Sequence, residues 1–87
     1  MTKYRILITS QAQKDIRKLD PMIRNKIITS IFNLEMNRTP QQFKPLVGKS
    51  VAEFRIRIGN YRVLYDVYDE KKEVLILRIG HRKDIYR

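Results

Sequence analysis

Residues 53–68, EFRIRIGNYRVLYDVY, decide the fold of this chain. Their first half alternates three apolar residues with three charged ones, Glu53, Arg55 and Arg57. Because a strand turns successive side chains to opposite faces, this spacing predicts a strand with one buried row and one charged row. A Gly-Asn pair at 59–60 then breaks the run, and both residue types tolerate the positive φ of a tight turn. The stretch therefore predicts a β-hairpin.

The second strand of this hairpin, residues 61–68, is rich in aromatic and β-branched residues. It brings Arg62 back alongside Arg55 and Arg57, so that three arginines and no lysine lie close together in the sequence. The planar, permanently charged guanidinium group suits phosphate oxygens. The plain alternative is the solvated face of an edge strand. We interpret the three arginines as a phosphate-binding group.

The composition fits one small domain, residues 1–87, with a strong positive charge. Nineteen Lys and Arg residues against nine Asp and Glu residues give a net charge of +10. This charge predicts a polyanionic partner, which is nucleic acid, an acidic protein or an anionic membrane surface. A hydrophobic content of 43% is enough for a folded core.

Cysteine is absent and histidine occurs once, which narrows the possible chemistry. The lack of cysteine excludes disulfides, thiolate catalysis and cysteine zinc sites, and His81 alone cannot form an all-histidine metal site. We therefore expect neither a metal nor another cofactor. The N-terminal ten residues are too short and polar for a signal peptide, and no apolar run approaches the ~20 residues of a membrane helix. We expect a cytoplasmic protein with no membrane partner.

The N-terminal half of the chain predicts one strand and two helices. Residues 3–9 alternate as a strand, and Ser10 with Gln13 matches a capping box for a first helix from Gln11 to Leu19. Asp20 and Pro21 are typical of an N-cap and first helical position. They start a second helix that we expect to end at Met36 or Asn37. Its predicted core positions are Ile23, Ile27, Ile28, Ile31 and Phe32.

The C-terminal half predicts a meander of strands. Residues 38–52 contain two prolines and a glycine and are predicted to form a loop that contacts the core through Phe43, Leu46 and Val47. Residues 73–79 are apolar enough for a central strand that Gly80 ends. The predicted fold class is α+β, with the order β-α-α-β-β-β. Three antiparallel strands and the N-terminal strand at their edge form one four-stranded sheet, and the helices cover one face. Arg55 and Arg57 lie on the other face.

The closing segment HRKDIYR places His81, Arg82 and Tyr86 just after the central strand, where a chain leaving a sheet commonly lines a cleft. His81 is the one side chain here that titrates near neutral pH without a large pKa shift. The alternative is a frayed basic terminus. Tyr61 and Tyr65 share a strand parity and are predicted to pack on the core.

The chain resembles the RelE/ParE superfamily of bacterial toxin–antitoxin systems. The resemblance rests on the strings FRIRIGNYRVLYDV and VLILRIGHRKDIY, the turn DEKKE and the proline-led second helix taken together. The resemblance is specifically to the superfamily's RelE-type messenger-RNA interferase branch, and it runs nearly end to end. It implies an endoribonuclease that enters the ribosomal A site and cuts messenger RNA without a metal. The ribose 2′-hydroxyl attacks the adjacent phosphate and expels the 5′-oxygen of the next nucleotide.

The resemblance also implies roles for individual residues. Arg55 and Arg57 match two strand sites where other members carry lysine, and Arg62 matches the phosphate-binding arginine. In the closing segment, Arg82 matches the tail arginine, and Tyr86 matches the tyrosine that stacks on the substrate base. His81 lies where lysine or histidine occurs in other members. Because arginine stays protonated, it is a poor proton acceptor. Proton transfer must then fall on His81, Glu53 or water. We favour His81, with Glu53 as its rival.

The implied partner is a cognate antitoxin, an acidic or amphipathic segment of a small DNA-binding protein. Our hypothesis is that this antitoxin covers the helix pair and the positive cleft and displaces the closing segment of the chain. We expect contact with operator DNA only through the antitoxin. Two alternatives to the ribonuclease remain open. One is a ParE-like inhibitor of DNA gyrase that cleaves nothing, and the other is a non-catalytic RNA-binding module.

Overall fold

One mixed sheet and two helices make up the part of the chain that the computed structural model describes, residues 2–48 and 51–85. The elements are β1 (Arg5–Ile8), α1 (Ser10–Arg17), α2 (Pro21–Asn33), β2 (Phe43–Pro45), β3 (Phe54–Ile58), β4 (Tyr61–Tyr68) and β5 (Glu73–His81). Neither helix in these two ranges is long and apolar enough to cross a bilayer.

The sheet has the strand order β1-β5-β4-β3-β2. β1 pairs parallel with β5, and the other pairs are antiparallel. The α+β class, the meander and the edge position of the N-terminal strand are confirmed, and β5 is central as predicted. The expected number of four strands is wrong, because β2 adds a fifth within the segment predicted to be a loop.

The additional strand is held by aromatic packing at the sheet edge. Phe43 pairs with Ile56, and its ring centroid lies 5.3 Å from that of Phe54. Pro45 has no N–H to donate, which an edge strand tolerates. Three residues are too few for a periodic pattern, so the pairing depends on this tertiary contact. Val47, predicted to contact the core, is 91% exposed, and that prediction is wrong.

The cap of α1 lies one residue before the predicted position. Thr9 is the N-cap, and its Oγ1 accepts a hydrogen bond of 3.1 Å from the N–H of Ala12. Ser10 is instead the first helical residue. Gln13 does reach back, and its Nε2 donates to the carbonyl oxygen of Ile8 over 3.0 Å. The helix ends at Arg17, two residues earlier than predicted.

Helix α2 begins as predicted and ends earlier. Asp20 occupies the N-cap position and Pro21 opens the helix, although the Asp20 side chain makes no capping hydrogen bond. The last helical residue is Asn33, whereas we expected Met36 or Asn37. Residues 34–36 form a turn.

The main core lies between the two helices and one face of the sheet. From α2 it takes Ile27 and Ile31, with Ile23 packed against it. Phe32 is 46% exposed, and Ile28 is half-buried. Their prediction as core residues is therefore wrong for Phe32 and only partly met for Ile28. Among the described residues, the buried members of this core are Tyr4, Ala12, Leu19, Ile27, Ile31, Leu34, Ile56, Val63, Tyr65, Val74, Ile76 and Ile79.

The sheet face away from the helices carries a second, smaller cluster formed by Ala52, Leu64 and Ile85. Strand β5 continues through Gly80 to His81, so the prediction that Gly80 ends it is wrong. A Cβ atom at Gly80 would lie 3.3 Å from Cδ1 of Ile85, and this close approach lets the chain fold back onto the sheet. The closing tail, residues 82–85, therefore lies on the open face.

A buried carboxylate joins α1 to an irregularity of the sheet. The register of β4 against β5 shifts between Leu64 and Tyr65. Near this shift, Asp15 Oδ2 accepts from the Arg78 Nε and from the backbone N–H of Ile79, both over 3.0 Å. Asp15 is 7% exposed, and these bonds satisfy a charge that would be costly to bury alone. The contact fixes α1 on the sheet.

Candidate nucleic-acid interface

The hairpin of β3 and β4 places its arginines on the face that the helices leave open. Arg57 is the direct cross-strand partner of Arg62, and the adjacent pair Ile56 and Val63 points into the main core. Arg55 lies two residues before Arg57 and therefore on the same face. Directly opposed residues have Cβ atoms about 4.5–5.5 Å apart. The structure thus brings Arg55, Arg57 and Arg62 together, as the alternation predicted.

A fourth cation, which the sequence analysis missed, extends this group. Lys44 on β2 is the cross-strand partner of Arg55, and its side chain is exposed. The only sequence signal was the short alternation of Phe43, Lys44 and Pro45 within a segment rich in proline. We call Lys44, Arg55, Arg57 and Arg62 the basic face.

Backbone carbonyl groups hold two of these guanidinium groups in place. Arg55 Nη1 donates to the carbonyl oxygen of Gln42 over 3.2 Å. Arg62 Nη1 donates to the carbonyl oxygens of Gly59 and Tyr61 over 3.1 and 3.0 Å. A guanidinium group has five N–H donors, so the Arg55 side chain keeps further N–H groups for a ligand. These bonds orient the guanidinium groups before any ligand arrives.

Arg57 differs from its two neighbours because its side chain is exposed. Across residues 2–48 and 51–85, its guanidinium group makes no hydrogen bond and no ion pair. Like charges directly opposite each other on two strands are destabilising. The pairing of Arg57 with Arg62 therefore works against folding, and a bound anion would relieve the repulsion.

Glu53 immediately precedes β3 and lies beside Asp66, an open-face residue of β4 at the far end of the hairpin. Glu53 Oε1 accepts a hydrogen bond of 3.1 Å from the N–H of Val67. The N–H of Glu53 donates to Asp66 Oδ1 over 2.8 Å. The Asp66 carboxylate also raises the pKa of the exposed Tyr68 hydroxyl. The open face thus changes from basic at the hairpin turn to acidic at its other end.

His81 lies on the other side of the sheet. It is the cross-strand partner of Tyr61, and the two rings meet edge to face with centroids 5.5 Å apart. Tyr61 packs against the main core, as predicted. Gly80, not His81, is the partner of Arg62. The structure therefore does not bring His81 together with the three arginines.

The ring nitrogens of His81 have distinct surroundings. Nδ1 accepts a hydrogen bond of 3.1 Å from the N–H of Lys83. A neutral imidazole that accepts at Nδ1 carries its proton on Nε2. His81 therefore helps to form the turn that begins the closing tail.

The closing tail starts beside the hairpin turn. The N–H of Arg82 donates to the carbonyl oxygen of Asn60 over 2.8 Å, and the Arg82 side chain is exposed. Ile85 then packs in the smaller apolar cluster. Tyr86, which the sequence analysis placed in the site, lies outside the described residues.

Comparisons with known proteins find relatives over nearly the whole chain. The model of the family described as "ParE toxin of type II toxin-antitoxin system, parDE" matches residues 6–86. The chain is 39% identical over 85 residues to toxin RelG of Mycobacterium tuberculosis, with 97% of each chain covered.

Two solved structures share the fold over nearly the whole chain. The crystal structure of the toxin–antitoxin complex RelBE2 from Mycobacterium tuberculosis contains a chain that superposes with a TM-score of 0.83 at 35% identity, covering 97% of both chains. The archaeal RelE–RelB complex from Pyrococcus horikoshii gives a TM-score of 0.80 at 26% identity, covering 95% of this chain and 99% of the other.

Proposed function

The chain belongs to the ParE toxin family of type II toxin–antitoxin systems, and from its RelE-type motifs and its basic face we propose that it is an endoribonuclease that cleaves messenger RNA in the ribosomal A site. The chain is the toxin of a RelBE-type toxin–antitoxin system. We propose that the cleavage takes place on ribosomes in the cytoplasm.

The observation that carries the proposal is the basic face. Arg55, Arg57 and Arg62 lie on one uncovered sheet surface, and two of them are oriented by backbone carbonyl groups. Attack on a phosphodiester passes through a state with extra negative charge on the phosphate oxygens. Donors that are oriented in advance stabilise such a state without further reorganisation. Guanidinium groups pair with these oxygens in a bidentate manner.

In the proposed reaction, the ribose 2′-oxygen forms a bond to the adjacent phosphorus, and the bond from phosphorus to the 5′-oxygen of the next nucleotide breaks. The 2′-hydroxyl loses a proton to a base, and the leaving 5′-oxygen takes one from solvent. The products are a 2′,3′-cyclic phosphate and a 5′-hydroxyl. No electron transfer is involved, and the arginines stabilise charge without exchanging protons.

We assign the proton acceptor to Glu53 in preference to His81. A base must come within hydrogen-bond reach of the proton that it removes. Glu53 lies beside Asp66 of the open face, whereas His81 packs against Tyr61 on the helix-covered side. We assign Arg82, on the closing tail, to the leaving-group side, and Tyr86 to stacking on a substrate base, as the resemblance implies.

The partner is a cognate RelB-type antitoxin, as in the related complexes. We propose that an acidic, amphipathic segment of it covers the basic face and the helix pair and displaces the closing tail. The net charge of +10 favours such a segment. Contact with operator DNA would then be made through the antitoxin.

The test is to add the purified full chain to a translating extract and to map the 5′ ends of a reporter messenger RNA, with DNA gyrase supercoiling assayed in parallel. We expect messenger cleavage at ribosome-occupied positions and unimpaired supercoiling. Arg57→Ala should cleave about 100-fold more slowly, as expected for loss of one oriented donor. Intact messenger with inhibited supercoiling would identify a gyrase inhibitor. Salt-sensitive RNA binding without cleavage would identify a binding module.

A further inference from the structure

A polar cavity of about 380 Å³ lies in the crevice between α2 and β3, at the border of the basic face. Its volume falls within the range of sites for small organic groups, about 300–1,000 Å³. The residues that line it are Ser30, Asn33, Pro40, Gln42, Ile56, Arg57, Ile58 and Gly59. None of them is acidic, so the cavity suits a neutral or anionic group.

Three side chains of the lining carry unused hydrogen-bonding groups. Ser30 and Asn33 lie three residues apart on α2 and hence on one face of that helix. Gln42 lies across the crevice from them. In the described part of the chain, the Ser30 hydroxyl and the two side-chain amides have no hydrogen-bond partner within the protein. Each amide offers both a donor and an acceptor.

The cavity is directly connected to the basic face. The carbonyl oxygen of Gln42 accepts from Arg55 Nη1 over 3.2 Å and from the backbone N–H of Arg57 over 3.3 Å. Arg57 itself is part of the lining. An RNA strand with one phosphate on the basic face therefore has a neighbouring base within reach of the cavity.

We propose that this cavity holds one unstacked nucleobase of the bound RNA and reads its edge through the amides of Asn33 and Gln42. Single-stranded RNA is recognised through bases that are splayed out of the stack. Asn and Gln amides make paired hydrogen bonds to base edges. Pro40 and Ile58, which are both partly exposed, supply apolar surface for the ring. The inference rests on the proposed function, because it takes RNA as the ligand, and it adds a site for sequence preference.

The experiment compares wild-type protein, the double variant Asn33→Ala/Gln42→Ala and the control Asn25→Ala, whose amide lies on the same helix but does not line this cavity. Affinities for short homopolymeric RNAs of A, C, G and U are measured at low salt by fluorescence anisotropy, and cleavage positions are mapped in the translating extract.

A paired contact to a base edge is worth ~1–3 kcal/mol of discrimination. The spread of affinity between bases should therefore shrink about tenfold in the double variant and persist in Asn25→Ala. Arg57→Ala should weaken binding to all four RNAs alike.

The outcomes separate this inference from the proposed function. A wild-type protein that prefers no base, or a double variant with an unchanged preference, overturns the cavity assignment while cleavage can still stand. If the wild-type protein prefers one base, loses that preference in the double variant and cuts no messenger, the nuclease proposal is overturned and the base site stands.

Discussion

The two faces of the sheet use the same strands for opposite purposes. On β3 and β4, Ile56 and Val63 point towards the helices and are almost fully buried. Their neighbours Arg57 and Arg62 point to the other side and face each other with the same charge. Burial of apolar surface stabilises the fold, whereas like charges at opposed positions destabilise it. On each strand, a residue that stabilises the core is thus directly followed or preceded by one that faces the proposed RNA site.

The open face is nevertheless not uniformly polar. The closing tail covers part of it through Ile85, which packs with Leu64 and Ala52. This small apolar cluster lies next to the basic face, since Leu64 is the cross-strand partner of Arg55. Residues 82–85 are therefore brought to the edge of the proposed RNA site by packing on the sheet.

The largest effect should come from the helix-covered face. Ile31 is fully buried in the main core, and Ile31→Ala should lower the free energy of unfolding by ~2–5 kcal/mol through lost burial and a residual cavity. Urea unfolding measures this change. Phe32→Ala, one residue further on the same helix and half-exposed, is the matched control and should cost less than half as much. Equal losses at both positions would remove the distinction between the two sides of α2.

The next effect separates the two candidate proton acceptors, which lie on opposite faces. Glu53→Gln should slow cleavage about 100-fold, the lower end of what a positioned base contributes. His81→Gln should change the rate by less than about threefold, because its ring packs against Tyr61 away from the arginines. Cleavage rates between pH 5 and 8 give the check. A neutral-pH inflection that His81→Gln abolishes would show that His81 reaches the site and that the assignment to Glu53 is mistaken.

The smallest effect concerns a tyrosine of the helix-covered face at alkaline pH. Tyr65 is fully buried, its hydroxyl donates to the carbonyl oxygen of Arg38 over 2.7 Å, and burial raises its pKa. A raised folded-state pKa gives stability that is complete below the unfolded value of about 10 and is lost as pH rises above it.

The free energy of unfolding should therefore fall above pH 10 in the wild-type protein and fall less in Tyr65→Phe. At neutral pH that variant should lose about 1 kcal/mol with its hydrogen bond. Tyr68→Phe serves as the control: Asp66 also raises the pKa of this tyrosine, but its hydroxyl is exposed to solvent, so the variant should keep more of the alkaline decline than Tyr65→Phe does. Denaturant melts from pH 8 to 11 measure both. An identical decline in Tyr65→Phe would place the titrating group elsewhere.

The elements that the sequence predicted best are those with long, regular patterns. The alternation from Glu53 to Tyr68 defined the hairpin, and β4 spans the predicted residues 61–68. The same alternation placed Arg55 and Arg57 on the open face before any contact was known. Periodicity is reliable here because a one-residue slip would expose the whole apolar row.

The features that escaped prediction depend on contacts between distant segments. Lys44 joins the basic face only because three residues of β2 pair with β3, which no short pattern signals. The face on which His81 lies follows from β5 continuing past Gly80 beside β4. The cap of α1 was misplaced because Thr9 and Ser10 both offer a hydroxyl, and the preceding strand decides which of them turns towards Ala12.

The central claim is that the arginines of the open face hold a single RNA phosphate and contribute nothing essential to folding. It is tested most directly by Arg62→Ala, with messenger cleavage in a translating extract and urea unfolding measured on the same preparation. The account predicts a fall in cleavage of at least ~100-fold and a free energy of unfolding within ~0.5 kcal/mol of wild type. Full cleavage activity, or a loss of activity that only follows a loss of folded protein, would contradict it.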